Sequence, residues 1–280
     1  MNLLIVLMTL GIVQGVAEFL PVSSSGHLAL LENIPFFREA LKGMGENLVL
    51  FVNVILHVAT LIAVVIFLRK DLAALIVEFF GSLGKRDFRS PAMKKTGYIL
   101  AACLPAGIIG VLFNDAIERL FGSPVTVCVL LIINGIILIS TKKIPLNSRK
   151  LEEIGLGRSL LVGLFQAAAI LPGISRSGMT ITGGFLSGLE PEEAAKFSFL
   201  MALPVIGGAG LLETVKVVKR GLPLEHIALI ALVMALTIVV ALFSLRLLIV
   251  MVKKIRLDVF GYYTSALGAA GLVFLLGFAS

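Results

Sequence analysis

The sequence predicts an all-α integral membrane protein, and three observations carry that prediction. Of the 280 residues, 58% are apolar and 15% are charged, against roughly 45–50% and roughly a quarter in soluble domains. Mean hydropathy is +1.06, and it comes from long Leu/Ile/Val/Ala runs that exclude a disordered chain and argue against a soluble enzyme. Six of those runs, 48–68, 96–113, 124–140, 194–214, 224–250 and 258–278, are long enough to cross the hydrocarbon, which takes about 20 helical residues.

Two further apolar regions, 2–34 and 159–189, are interrupted by Leu20-Pro21-Val22-Ser23-Ser24-Ser25-Gly26 and by Leu171-Pro172-Gly173-Ile174-Ser175-Arg176-Ser177-Gly178. Each reads as a helix, a break and a second short helix, the pattern of a re-entrant hairpin. The stretch 71–81 reads as a short amphipathic helix at the interface, and 82–95 as a polar connection. The apolar start, residues 1–20, is expected to belong to the mature fold. It lacks a basic leader, the first cation being Arg38, and it carries Gln14 and Glu18 where a signal peptide is purely apolar.

The formal charge of +7, from 24 Lys and Arg against 17 Asp and Glu, would suggest a nucleic-acid partner in a soluble protein. Here the cations form short clusters between apolar runs and read as topology signals, so no nucleic acid is expected. Lys and Arg divide 15 against 6 between the two faces, with Arg69, Lys70, Lys85, Arg86, Arg89, Lys94, Lys95, Lys142, Lys143, Arg149, Lys150, Arg158, Lys253, Lys254 and Arg256 on the cytoplasmic one. Arg38, Lys42, Arg119, Lys216, Lys219 and Arg220 face out, as do both termini. Cys103 and Cys128 lie inside apolar segments without paired spacing, which supports neither a disulfide framework nor a zinc site.

An internal repeat runs at an offset of 152: Gly11, Gln14, Ser23, Ser25 and Gly26 match Gly163, Gln166, Ser175, Ser177 and Gly178. Each interrupted segment is followed by three expected spans, so the second copy is inverted relative to the first. The expected organisation is one membrane domain, 1–280, built of two inverted halves, 1–147 and 153–280. Inverted repeats with broken helices place functional backbone near the midplane, where the halves meet.

Gln14 and Glu18 lie four apart and share a helix face. A carboxylate inside an apolar segment costs about 2.5–3.5 kcal/mol on insertion scales, so something must compensate it. Glu18 reads as a metal ligand or general base lining a polar cavity, with structural pairing to a neighbouring helix as the plainer alternative. After Pro21, Ser23, Ser24, Ser25 and His27 place hydroxyls and free backbone N–H groups at the start of a new helix, an arrangement that suits an anion as well as simple N-capping. His27 could cap, transfer a proton or attack phosphorus. In the second break Arg176 offers a permanent planar cation suited to phosphate oxygens, flanked by Ser175, Ser177 and Thr180. If the breaks meet, these residues form one cavity suited to a phosphate ester. Asn53 and His57, four apart on the first full span, are expected behind that site. Pro105 and Pro204 are expected to kink their spans, Lys196 and Arg246 to lie near span ends or face partners, with snorkelling the simpler account, and His226 to lie at the interface.

At this point the motifs resemble those of a known family. The segment Gln14-Gly-Val-Ala-Glu18-Phe-Leu-Pro-Val-Ser-Ser-Ser-Gly-His27 resembles the (E/Q)xxxE and serine-rich signature of the undecaprenyl-diphosphate phosphatases, the bacitracin-resistance family. Leu171-Pro-Gly-Ile-Ser-Arg176-Ser-Gly-Met-Thr180 resembles that family's PGxSRSxxT motif, and the likeness extends across the chain, including Phe197-Ser-Phe-Leu. Asn53 stands where the family often has an acidic residue, and Gln14 takes the amide option at its position.

The resemblance implies a plasma-membrane enzyme that removes the terminal phosphate from a long-chain isoprenyl diphosphate, recycling the lipid carrier of envelope glycan synthesis and conferring bacitracin resistance. It assigns Glu18, helped by Gln14, to a divalent cation, Mg²⁺ or alternatively Ca²⁺, or to water activation. It gives Arg176 the diphosphate and lets Ser23, Ser24, Ser25, Ser175, Ser177 and Thr180 bind it or supply a nucleophile. Serine and histidine nucleophiles both stay open, with Ser24 and His27 the candidates. An active site on the outer side and a homodimer are further expectations. Because inverted repeats also build transporters, movement of the lipid product is the rival and complementary reading.

Overall fold

The computed structural model describes residues 2–145, 147–220, 226–254 and 256–277, and among these it is helical with no strand. The first interrupted segment forms α1 (Asn2–Ala17) and α2 (Ser24–Glu32). It is followed by α3 (Pro35–Phe67), α4 (Arg69–Gly84), α5 (Pro91–Leu112), α6 (Asn114–Phe121) and α7 (Pro124–Ser140). The second interrupted segment forms α8 (Leu156–Ala168) and α9 (Arg176–Leu186), and α10 (Pro191–Arg220), α11 (Ile227–Lys253) and α12 (Leu257–Gly277) complete the chain.

Local chemistry sets many of these boundaries. Pro35, Pro91 and Pro124 stand in the first turns of α3, α5 and α7, where the missing N–H costs nothing. Ser90 and Ser123 cap α5 and α7 by accepting from the N–H of Met93 and Thr126. Inside α3, Gly45 takes φ 72°, a left-handed value natural to glycine, and separates a leading piece from the apolar length Leu48–Phe67.

Five helical lengths among the described residues are long and apolar enough to cross a membrane: Leu48–Phe67, Pro91–Leu112, Pro124–Lys143, Ile227–Lys253 and Leu257–Gly277. They correspond to five of the six expected runs. The sixth, 194–214, forms the middle of α10 (Pro191–Arg220), and the side chains of Ala209, Leu212 and Glu213 within it lie outside the described residues. Residues 224, 225 and 278, at the ends of two expected runs, and the side chains of Lys216 and Arg220 lie outside the described residues. The expected interfacial helix is α4, longer at both ends than 71–81, with no buried residue and with Ile76, Val77, Phe80 and Leu83 exposed. The polar connection shrinks to 85–90 because α4 runs on to Gly84 and α5 begins at Pro91.

Contacts cross between the two expected halves. The helix before each break lies along a long helix of the opposite half, α1 on α11 and α8 on α5, while α7 packs along α12. Small residues permit this closeness. A Cβ at Gly163 would stand 2.5 Å from the Ala102 carbonyl oxygen, and one at Gly135 2.5 Å from that of Gly261. Without a hydrophobic drive between helices in lipid, such backbone approach is the main source of helix adhesion. The aromatic core sits under the first break, where Phe19 meets Phe199 edge-on at 5.9 Å and Phe197 is fully buried. Cys103 and Cys128 are free thiols in these packing layers.

Several cations of the expected cytoplasmic set are paired. Lys95 binds Glu152 (3.1 Å), Lys142 binds Asp258 (2.9 Å), Lys253 binds Glu192 (2.8 Å), and Lys150 pairs with Glu190. Lys196, near the start of α10, faces partners, with Glu192 at 3.3 Å and Asp71 at 3.9 Å. His226 is the N-cap residue of α11. The ammonium of Lys253, with Lys196 beside it, holds the Glu192 carboxyl below the usual carboxylate range. The resulting stabilisation is present at neutral pH and is lost as pH falls through that lowered value. Lys253→Ala should therefore lower the thermal midpoint in detergent at pH 7, with the gap to the parent protein closing as the carboxylate protonates in acid. A gap independent of pH would show that the ion pair is not its origin.

Candidate active site

The two breaks are built alike. In the first, Ser23 caps α2: its Oγ accepts from the Gly26 N–H at 3.2 Å and stands 3.3 Å from the Ser25 hydroxyl. In the second, Ser175 caps α9: its Oγ accepts from the Gly178 N–H at 3.2 Å and stands 3.1 Å from the Ser177 hydroxyl. Residues 152 apart thus make the same contacts. They differ in strain, since Ser23 is held at φ 69°, a left-handed value uncommon for a residue with a Cβ. In the second break that conformation falls to Gly173 at φ 104°, where a Cβ would stand 2.7 Å from the Val127 carbonyl oxygen.

A side chain that sequence reading passed over ties the breaks together. Asn134, fully buried on α7, accepts from the Ser175 N–H at 2.9 Å through Oδ1 and donates from Nδ2 to the Pro21 carbonyl oxygen at 3.3 Å. Its signal was present, as an amide in the middle of an otherwise apolar run marks a buried partner or a site. The two short helices consequently start beside one another, with α2 and α9 aiming the positive ends of their backbone dipoles into one region.

Glu18 lies at that junction. Its Oε1 accepts from Arg176 Nη2 at 3.0 Å, and its Oε2 accepts from Ser24 Oγ at 2.8 Å and from Gln14 Nε2 at 3.1 Å. Both charged side chains are largely removed from solvent, Glu18 8% and Arg176 14% exposed. Arg176 is steadied from behind by donation to the Ser198 carbonyl oxygen at 3.4 Å, and Thr180 donates to the Ser198 hydroxyl at 2.7 Å. Ser198 was visible in the sequence only as part of the Phe197-Ser-Phe-Leu string.

The structure therefore brings Gln14, Glu18, Ser23, Ser24, Ser25, Ser175, Ser177, Thr180 and Arg176 to the paired breaks, but not all of them face open space. Ser177 and Thr180 are fully buried behind the cap. His27 turns away from Glu18 and Arg176. Its Nδ1 is 2.8 Å from the Ser23 carbonyl oxygen, its Nε2 is 2.8 Å from the Tyr263 hydroxyl, and its ring stacks on Tyr263 at 5.6 Å. The expectation that His27 shares the cavity with the acid and the arginine is corrected by this packing against α12.

Two cavities meet across the Glu18–Arg176 pair. One, about 170 Å³, is lined by Ser23, Ser24, Ser25 and Ser175 together with the pair. The other, about 550 Å³, shares Glu18, Arg176, Phe121, Ala169 and Ile170 with the first and continues between apolar walls that include Val54, Val205 and Ile206. Asn53 and His57 line this larger cavity directly, not from behind it, as does Gln166, the repeat counterpart of Gln14. Gln14 and Gln166 are both buried and both keep an Oε1 without a hydrogen-bond partner. The arrangement offers a small hydroxyl-lined chamber for an anion beside a larger greasy one, with an acid–arginine pair at their common wall.

The role given to Asn134 has a direct consequence. Asn134→Ala removes partners from a buried N–H and a buried carbonyl, each worth about 1–3 kcal/mol when left unmet. The variant should lose stability by that order, as read by thermal unfolding in detergent. An unchanged midpoint would mean that the two breaks are held together elsewhere.

The sequence profile of the family described as Bacitracin resistance protein BacA matches residues 7–270. The chain is 40% identical over 268 residues to the Undecaprenyl-diphosphatase of Rubrobacter xylanophilus, covering 95% of this chain and 96% of that one. It is 38% identical over 275 residues to the Undecaprenyl-diphosphatase of Thermomicrobium roseum (95% of each chain) and 36% identical over 273 residues to that of Alkaliphilus metalliredigens (95% and 97%). A match along nearly the whole length that includes both breaks and the residues between them leaves one assignment: the chain belongs to the bacitracin-resistance BacA family.

Proposed function

We propose that this protein is a multi-pass membrane phosphatase that hydrolyses undecaprenyl diphosphate to the monophosphate and inorganic phosphate, returning the lipid carrier to envelope glycan synthesis and so conferring bacitracin resistance. The observation that carries the reading is the Glu18 carboxylate, which receives the Ser24 hydroxyl on one oxygen and the Arg176 guanidinium on the other. Simple ion pairing does not require a serine aimed at the same acid, whereas attack on phosphorus does.

In this reading the terminal phosphate enters the 170 Å³ chamber and is met by Arg176 and by the backbone N–H groups that open α2 and α9. Phosphoryl transfer asks mainly for positioning and neutralisation of the equatorial oxygens, and a guanidinium and two helix starts supply both. Ser24 Oγ attacks the terminal phosphorus and passes its proton to Glu18 Oε2, which hands it to the departing lipid monophosphate as the bond to the bridging oxygen breaks. Glu18, ionised again, takes a proton from the water that attacks the phosphoserine and returns it to Ser24 Oγ as inorganic phosphate leaves. The isoprenyl tail extends through the larger apolar cavity and leaves it with the lipid monophosphate, before inorganic phosphate is formed. His27, with both ring nitrogens committed, positions the strained Ser23 turn and does not attack.

The divalent cation implied by the family finds oxygen donors of the right hardness. Glu18 and the unpartnered Oε1 of Gln14 would hold Mg²⁺ or Ca²⁺. When bound, the cation would add neutralising charge beside the diphosphate. Among the described residues no three His, Cys, Asp or Glu side chains cluster to hold a metal alone, so substrate oxygens would complete the shell. The site is assigned to the outer face, opposite the basic clusters, a placement that the 15-to-6 charge bias supports.

The test is phosphate release from a long-chain isoprenyl diphosphate by purified protein in detergent, with and without EDTA. Ser24→Ala should reduce turnover on the order of 10³-fold or more and Arg176→Ala on the order of 10²–10³-fold with the fold intact, whereas His27→Ala, which loosens the Ser23 turn but removes no reacting group, should cost far less than either. Turnover by Ser24→Ala that matches the parent protein, or its loss only in His27→Ala, would pass the nucleophile to histidine. Glu18→Gln should weaken the dependence on metal as well as the rate, and an unchanged metal titration removes Glu18 from that role.

A further inference from the structure

A third cavity, about 610 Å³, is lined by Glu32, Arg38, Lys42 and Gly45 and also by Leu50 and Asn53. Leu50 and Asn53 line the 550 Å³ cavity as well, so the two spaces meet at this pair of side chains. Arg38 and Lys42 lie four apart on the leading piece of α3, and both are exposed. Arg38 is oriented by donation to Asn33 Oδ1 at 2.8 Å. The break at Gly45 falls between these cations and the apolar length of α3, and no atom lies within 4 Å of where a Cβ would stand there. The cavity thus runs from a charged rim, at the end of α3 remote from Arg69 and Lys70, towards the wall of the site.

The chemistry of the reaction demands such a path. Hydrolysis makes two products of opposite character, a lipid monophosphate that stays with the hydrocarbon and an inorganic phosphate that cannot cross it. We propose that the Arg38–Lys42 cavity is the aqueous exit for inorganic phosphate and its transient docking site on the way out; this rests on the hydrolytic reading above. Leu50 and Asn53 form the neck, where the neutral Asn53 amide can donate to a passing oxyanion and adds no negative charge. Arg38 and Lys42 attract the dianion from the neck. The Glu32 carboxylate opposes them and keeps the hold weak, as a release route requires, since a site that binds tightly does not conduct.

Two variants test this with separate readouts. Val49→Trp fills the third cavity beside the neck without lining the cavity that holds the tail, so rapid-quench kinetics should show the first turnover preserved and later ones slowed, a burst absent from the parent protein. Arg38→Glu combined with Lys42→Glu reverses the rim and should raise the inhibition constant of added inorganic phosphate, relative to the KM for lipid diphosphate, about 3- to 10-fold at low salt, the difference fading as salt is added. An unchanged phosphate inhibition constant in the charge-reversed protein overturns the docking role, and steady turnover without a burst in the Val49→Trp protein overturns the exit. If the parent protein releases no phosphate even in a first turnover, the hydrolytic reading itself falls and the exit with it, an outcome distinct from a working parent with indifferent variants.

Discussion

The ion pair between Glu18 and Arg176 is the constraint on which the rest of the arrangement depends. Each charge alone would be costly at this depth, and each is 158 residues from its partner along the chain. The pair becomes tolerable only if the first break of one half and the second break of the other are brought within hydrogen-bonding distance. Pairing of this kind adds little net stability, because desolvation offsets most of the attraction, but removal of either partner strands a buried charge at a cost of about 3–5 kcal/mol. The pair is therefore better understood as a requirement on geometry than as a source of stability. The glycine contacts of α8 with α5 and of α7 with α12, and the Asn134 bridge, are what let the backbone meet that requirement.

Symmetry then does much of the positioning. Because Ser23 and Ser175 cap their helices through the same contact, one N–H of each helix start is satisfied internally while others remain available to an anion. The asymmetry between the breaks is where chemistry enters. One contributes the acid and a hydroxyl that reaches it, the other contributes the guanidinium, and neither break holds both. The positive φ of Ser23 is the local cost of turning Ser24 towards Glu18, and the commitment of His27 to the Ser23 carbonyl and to Tyr263 holds that turn.

Much of this was legible in the sequence, and the omissions have physical causes. The breaks could be read because proline followed by a run of serine and glycine cannot continue a helix, and the offset of 152 could be read because capping chemistry repeats with it. Glu18 and Arg176 stood out because a charge in an apolar run needs a partner. The direction of a side chain around its helix axis could not be read. His27 adjoins the serine run in sequence, yet it points at α12 because one residue along a helix turns the side chain by about 100°. Asn53 and His57 likewise moved from supporting positions to the cavity wall once helix rotation was fixed by packing, and Gln166, marked in the sequence only as a repeat match, joined them.

The same ties bear on whether this architecture moves lipid. Alternating access in inverted-repeat transporters depends on one half rocking against the other around a fixed site. Here Glu18 and Arg176 join the halves at the site itself, Asn134 on the first half holds the backbone of Ser175 on the second, and α7 and α12 meet through glycines too close to slide. Interfaces packed at this density switch between discrete arrangements and do not deform smoothly. Any movement of the lipid by rocking would have to open the ion pair and release the Asn134 bridge between Pro21 and Ser175, that is, part the two breaks. A hydrolase has the opposite need. It gains from a junction that stays assembled while a headgroup enters from one side, a tail remains in the membrane and a small anion leaves by water, and the chemical asymmetry of the two breaks is of use only while they are held together.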